Sequence, residues 1–262
     1  MIMAIRIIRV PVINALGKKG SEKAPVLILK ELKKIYENFG KLDLEEIHVD
    51  NSNVEEAQAL IYKNSKKEFE VRDNVVFVGG DHSLSYSSVK AFNETFGEDS
   101  FLIVFDAHAD CDFSNKEPTH EEWLRAVLEN TGIKGENVFL IGARKMWDVE
   151  KDFLKEKGVN VFSDVEDFES FADVLTERVR GKKVYVSLDI DVLDPAFAPG
   201  VNFPEALGFS SKELVYLLKR IFHLKELKGF DIVEVVPEKD KEEVTIKIAA
   251  RILKEFLEIR GR

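Results

Sequence analysis

Hydrophobic residues along this chain fall mostly in short unbroken runs rather than in strict alternation. VVFVGG at 75–80, FLIVFD at 101–106 and VYVSLD at 184–189 are examples. Such runs predict strands covered on both faces, because a strand with one face in water alternates apolar and polar positions. Eight strands are expected, over 5–12, 46–49, 74–79, 100–106, 137–142, 159–162, 183–189 and 229–235. Between them the period lengthens. Val244, Ile248, Ile252 and Phe256 recur at every fourth position, and Ala249 and Leu253 widen the stripe. That spacing predicts a helix with one apolar face, and 22–39, 83–96 and 211–222 read the same way. Strands alternating with helices predict an α/β protein, one parallel sheet with helices on both sides. No linker or repeat divides the chain, so a single domain over 1–262 is expected. The main irregular stretch is 193–209, LDPAFAPGVNFPEALGF, which holds three of the seven prolines. A long ordered loop in a compact domain is often a functional one.

Composition narrows the class of partner. The formal net charge is −10, which argues against nucleic acid or an anionic membrane and favours a cationic substrate. The single cysteine, Cys111, rules out an internal disulfide and any thiolate metal cluster, so a reducing, cytoplasmic setting is expected. The opening MIMAIRIIRVPVI is apolar but short and broken by Arg6 and Arg9; it reads as a first strand, not a secretory signal. No apolar run reaches the roughly 18 residues that cross a bilayer. Gln58 is the only glutamine among many lysines and glutamates, a balance that suits a heat-loving source.

Four polar motifs sit where predicted strands end: GGDHS at 79–83, DAHADCD at 106–112, SLDIDVLDP at 187–195 and DIVEVVP at 231–237. Ligands of open parallel sheets bind outside the carboxyl ends of the strands, so the four could converge on one crevice. Asp106, His108 and Asp110 are spaced by two and project to one side of extended chain, and Asp189 and Asp191 repeat the pattern. His82 adds a second imidazole. Crowded carboxylates repel one another and are costly to bury, so the cluster calls for cations, two rather than one. Oxygen-rich donors with two imidazoles suit Mn²⁺ better than a structural Zn²⁺ site. A water between two such ions loses its proton near neutrality and becomes a nucleophile.

Taken together and in this order, GGDHS, DAHAD, SLDIDVLDPAFAPG and DIVEVVP resemble the ureohydrolase family of arginase and agmatinase over 79–240. The resemblance implies a three-layer α/β/α sandwich around an eight-stranded parallel sheet, in agreement with the eight strands expected from the apolar runs. It implies two manganese ions, one held by His82, Asp106, Asp110 and Asp189, the other by Asp106, His108, Asp189 and Asp191. The implied reaction is hydrolysis of a guanidinium to urea and an amine, as in polyamine synthesis. Asp110 would hold the attacking hydroxide and pass its proton to the leaving amine. Glu234 would pair with the guanidinium, whose planar fork a carboxylate matches, and Asp231 would support the ligands from behind. His120, in THEEWLRAV, corresponds to a histidine implied in proton transfer or substrate placement, and a trimer or hexamer is implied as well.

Other readings apply to several of these residues. Thr119 and Glu122 have the spacing of a capping box. Glu121 and Glu122 stand where the family usually has small residues; facing inward they would suit a positively charged tail, but they are expected to be solvated residues at a helix start. Cys111 is expected to face away from the metals as a buried small apolar group, and His48 and His223 to be surface or packing residues. Asn115 and Asp148 are the available candidates for an amino-acid head group. Because that set is thin, agmatine or an aminopropylated agmatine is the expected substrate. Alternatives are arginase or formimino-amino-acid hydrolase activity, a metal-dependent deacetylase of a related fold, and a non-catalytic subunit.

Overall fold

In a computed structural model, which describes residues 5–14 and 16–261, the chain forms one eight-stranded sheet. In chain order the elements are β1 (Ile5–Val10), α1 (Ala24–Ile35), β2 (Asp43–Glu46), α2 (Val54–Val71), β3 (Asn74–Gly79), α3 (Ser83–Phe96), β4 (Ser100–Phe105) and α4 (Trp123–Asn130). They continue with β5 (Val138–Ile141), α5 (Asp148–Lys157), β6 (Asn160–Phe162), α6 (Phe168–Arg178), β7 (Lys183–Asp189), α7 (Ser211–Phe222), β8 (Leu227–Val233) and α8 (Val244–Arg260). Of the opening apolar stretch, Met1–Ala4 lie outside the described residues.

The sheet order is β2-β1-β3-β8-β7-β4-β5-β6, and every pair is parallel. Side chains alternate across it. Val76 and Val78 of β3 join a core shared with α1, α6, α7 and α8, while Val75 and Phe77 join a second core under α2, α3, α4 and α5. Two apolar faces, each covered by four helices, make the three-layer α/β/α sandwich. No helix of the described residues is long and apolar enough to cross a membrane.

Seven strands fall close to the expected positions; the edge strand β2 does not. A strand was expected over 46–49, but β2 is DLEE, Asp43–Glu46. Its pairing with β1 sets Arg6 against Asp43 and Arg9 against Glu46. Arg6 reaches Asp43 at 2.9 Å and Glu45 at 3.0 Å, and Arg9 pairs with Glu46. At this edge cross-strand ion pairs fix the register, where an apolar run would have placed it three residues later.

β3, β8, β7 and β4 are consecutive neighbours in the sheet, although β8 comes last in the chain. The four strands that carry the polar motifs therefore end side by side.

Candidate metal centre

His82 leaves β3 through Gly79 and Gly80. A Cβ on Gly80 would lie 2.0 Å from the carbonyl oxygen of Val12, so no other residue fits there. The imidazole is buried, and its Nε2 lies 2.9 Å from Ser187 Oγ. That leaves Nδ1 facing three carboxylates: 3.1 Å from Asp106, 3.0 Å from Asp110 and 3.4 Å from Asp189. On the other side of Asp106, His108 Nδ1 lies 3.5 Å from Asp106 and 3.0 Å from Asp191. Two groups of donors, His82–Asp106–Asp110 and Asp106–His108–Asp191, thus share Asp106. All six residues named as ligands from the sequence meet at one place.

The cluster is held from behind. Asp231 is fully buried and accepts hydrogen bonds from Ser85 (2.9 Å), Tyr185 (2.7 Å) and Ser187 (2.8 Å). Ser187 in turn contacts His82, so Asp231 fixes the ring without touching it. The Ala107 N–H donates to Asp191, and the Asp191 N–H donates to Asp189. Trp123 Nε1 donates to Asp110 Oδ2 at 2.8 Å. Asp110 and Glu234 both sit at left-handed φ, 49° and 65°. Such geometry is costly for a residue with a side chain and persists where surrounding bonds over-determine it. Here the Leu124 and Arg125 N–H groups donate to the Asp110 carbonyl, and the Glu234 N–H donates to the Gly80 carbonyl.

Electrostatics at the cluster pull in both directions. Burial alone would lower His82 and His108, but the neighbouring carboxylates override it, raising His82 well above its ordinary value and His108 to about 12. Burial, then the charges of Asp191 and Asp106, hold Asp189 well above the carboxylate range. Burial and the charge of Asp106 push Asp110 up to about 7. Asp106 goes the other way: hydrogen bonds and charge from the two histidines overcome burial and hold it low. Four buried carboxylates cannot all ionise without cationic neighbours.

The donor set fits divalent cations. His82 Nδ1 and Asp106 Oδ2 are buried 3.1 Å apart, yet neither makes a directed hydrogen bond among the described residues. Lone pairs converging on a point rather than on each other's protons are what a metal requires, and the oxygen-rich set with two imidazoles suits a hard or borderline ion.

Of the donors, His108, Asp110, Asp189 and Asp191 form the floor of a cavity of about 230 Å³, with His82 and Asp106 behind them, and its wall and mouth include Asp112, His120, Glu121, Lys145, Phe203 and Glu234. Glu234 is buried and accepts from the His82 N–H at 2.9 Å; burial and the charge of Asp81 raise its carboxyl well above the usual range. His120 is buried with Nδ1 3.6 Å from Glu234, and burial, then the charges of His82 and His108, push it down to about 4. It is a neutral imidazole at neutral pH. Phe203 packs on it, ring centroids 5.4 Å apart.

Several expectations from the sequence need correction. Thr119 does not cap α4, which begins at Trp123; its bonds with Glu122 close a turn before the helix. Glu122 is buried, not solvated, and takes further support from Asn115 at 2.8 Å. Glu121 faces the cavity. Asn115 and Asp148 do not line it; Asp148 is solvated and pairs with Lys151. Cys111 is buried in the core under α2–α5, away from the cavity, as alternation requires. His48 and His223 are exposed and do not line the cavity: one pairs with Glu46, the other ends α7.

Sequence reasoning missed Arg144. Its guanidinium donates to the carbonyls of Gly142, Asp191, Val192, Leu193, Glu205 and Ala206, fastening the 193–209 loop to the sheet. A lone arginine in an otherwise ordinary GAR turn gave no signal of that task.

Fold and cluster together define an α/β sandwich with a doubled His/Asp centre at the carboxyl ends of its central strands. Residues 3–258 match the model of the Arginase family, and the chain belongs to that family. An agmatinase from Bacillus subtilis (strain 168) is 37% identical over 183 residues, 69% of this chain and 61% of the relative. A formimidoylglutamase from Halalkalibacterium halodurans is 34% identical over 230 residues, 82% of this chain and 70% of the relative. Among solved structures, proclavaminate amidino hydrolase from Streptomyces clavuligerus superimposes with a TM-score of 0.86 at 26% identity, covering 99% of this chain and 93% of that one. The aligned segment spans less than two thirds of the agmatinase's own length.

Proposed function

We propose that the protein is a two-manganese hydrolase that splits a guanidino compound, foremost agmatine or its aminopropylated form, into urea and an amine. The observation that carries this reading is the convergence of His82, Asp106, His108, Asp110, Asp189 and Asp191 on one point, four of them (His108, Asp110, Asp189 and Asp191) on the floor of a cavity walled by Glu234. His82, Asp106, Asp110 and Asp189 would hold one ion, and Asp106, His108, Asp189 and Asp191 the other. Bound there, the ions supply Lewis acidity and a water acidic enough to act as nucleophile at neutral pH.

The chain's own residues do the rest. Glu234 accepts from the guanidinium N–H groups, and its unfavourable burial is relieved by the cation it holds. The His82 N–H at 2.9 Å fixes which Glu234 oxygen is left free. Asp110 is anchored at Oδ2 by Trp123, so Oδ1 is available to take a proton and give it to the leaving amine. Neutral His120 orients the substrate beside Glu234. The buried floor excludes bulk water, which strengthens each of these contacts.

The test is a urea-release assay with Mn²⁺ across agmatine, aminopropylagmatine, arginine and guanidinobutyrate, paired with metal analysis. About two ions per chain and urea from an amine-bearing guanidine are expected. With metal bound, no urea from any of them would overturn the reading. A second reading, hydrolysis of a formimino amino acid, is favoured by Lys145, a cation lining the cavity. Release of formamide in place of urea would identify it.

A further inference from the structure

We propose that Glu121, with Asp112 beside it, selects substrates whose far end carries a protonated amine. The inference rests on the guanidino-hydrolase reading and adds to it the group that reads the tail. Glu121 and Asp112 both line the cavity, and the Asp112 N–H donates to the Glu121 carbonyl at 3.2 Å, which ties the two residues side by side. Among the described residues the Glu121 carboxylate makes no hydrogen bond. Burial, then the charges of Asp112, Glu122 and Glu150, crowd it, so a cation placed there would be welcome.

The second observation is His120. It is buried, lines the same cavity, and its Nε2 has no hydrogen-bond partner among the described residues. The ring stands between two carboxylates: Nδ1 is 3.6 Å from Glu234 Oε1, and Nε2 is 3.9 Å from Glu121 Oε1. With the ring proton on Nδ1, directed at Glu234, a lone pair remains on Nε2 beside Glu121. A primary ammonium has three protons and can donate to both. A methyl or carboxylate tail offers no proton to either, and a neutral donor brings no charge to offset that of Glu121. A guanidinium at Glu234 and an ammonium at Glu121 are then separated by one imidazole, and a linker of about four methylenes, whose terminal nitrogens lie roughly 6 Å apart when extended, bridges that span. Phe203, packed on His120, gives the methylenes an apolar wall.

Glu121 is also legible as a solvated loop carboxylate with no role, and Lys145 lines the same cavity as a partner for an acidic tail. Lys145 Nζ lies 4.8 Å from the Trp147 ring centroid, a contact that holds its charge over that ring. The experiment separates these. With Mn²⁺-loaded protein, kcat/KM is measured for agmatine, butylguanidine and guanidinobutyrate in the wild type, Glu121→Gln and Glu121→Lys. The agmatine-to-butylguanidine ratio is expected to fall about tenfold in Glu121→Gln, the scale of one charged hydrogen bond. Glu121→Lys is expected to move preference towards guanidinobutyrate. An unchanged ratio in Glu121→Gln, or a wild type that prefers guanidinobutyrate, overturns the proposal. If no compound yields urea, the hydrolase reading falls on its own, and calorimetry decides the tail site: diaminobutane should bind more tightly than butylamine, and Glu121→Gln should erase the difference. Equal binding of the two amines by the wild type overturns the tail site.

Discussion

At the floor of the cavity and just behind it, the clustered side chains hang from the ends of central strands, and most are fixed by a further hydrogen bond. Ser187 and Asp231 hold His82, Trp123 holds Asp110, and backbone N–H groups hold Asp189 and Asp191. At the mouth, Asp112 and Glu121 ride on loops, and Glu121 is held through its backbone alone. The same cavity thus has a rigid end and an adaptable one. The rigid end suits chemistry that tolerates little displacement, and the loop end suits discrimination among tails. Family members of one mechanism and several substrates are what this division allows.

The division predicts a gradient of mutational effects. At the floor, Asp189→Asn removes a carboxylate that both proposed ions share. Urea release should fall by at least about 10³-fold, some 4 kcal/mol in transition-state stabilisation, and elemental analysis should find fewer than two ions per chain. Full occupancy with normal turnover would break the comparison at its strongest point. Next, the wild type should gain stability from metal, because the ions bind the folded cluster and not the unfolded chain. At Mn²⁺ near 100 times its dissociation constant the gain is about 2.7 kcal/mol, or roughly 5–10 °C in Tm for a chain of this size. Differential scanning calorimetry with and without chelator checks it, and Asp189→Asn should show less.

One layer back, Asp231→Asn leaves every proposed ligand in place but removes the anion that collects Ser85, Tyr185 and Ser187. A loss of about 10- to 100-fold in metal affinity is expected, read by metal titration, with circular dichroism confirming that the variant folds. A null result would mean His82 is oriented by packing alone. Outside the cavity the effect should nearly vanish. Leu207 is 92% exposed at φ 63°, a conformation that Asn tolerates better than Leu. Leu207→Asn should raise stability by about 0.5 kcal/mol or less in denaturant unfolding and leave urea release intact.

The same division explains what could be read from the sequence. Floor residues announce themselves, because spacing by two after an apolar run places side chains on one side of a strand end, and sheet order then brings separate strands together. The DAHADCD and SLDIDV motifs carry that information within a few residues. Mouth residues carry none of it. Whether Glu121 and Glu122 face water or protein depends on a turn closed by Thr119 and Asn115, and the capping-box spacing pointed to a helix that starts later, at Trp123. Likewise β2 lacks an apolar run; its place is set by Arg6 and Arg9 on the neighbouring strand, residues far away in the chain. Local pattern reports burial, and these choices were made by partners distant in sequence.

Arg144 bears on how molecules come and go. Six carbonyls converge on one guanidinium, five of them from the 193–209 loop and the two residues just before it, and a Cβ on Gly208 would come within 2.6 Å of the same group. A segment tethered so densely travels with the sheet and offers no hinged cover. Traffic into the cavity then passes a fixed wall on that side, and whatever adapts to an incoming molecule does so on the side that carries Asp112 and Glu121.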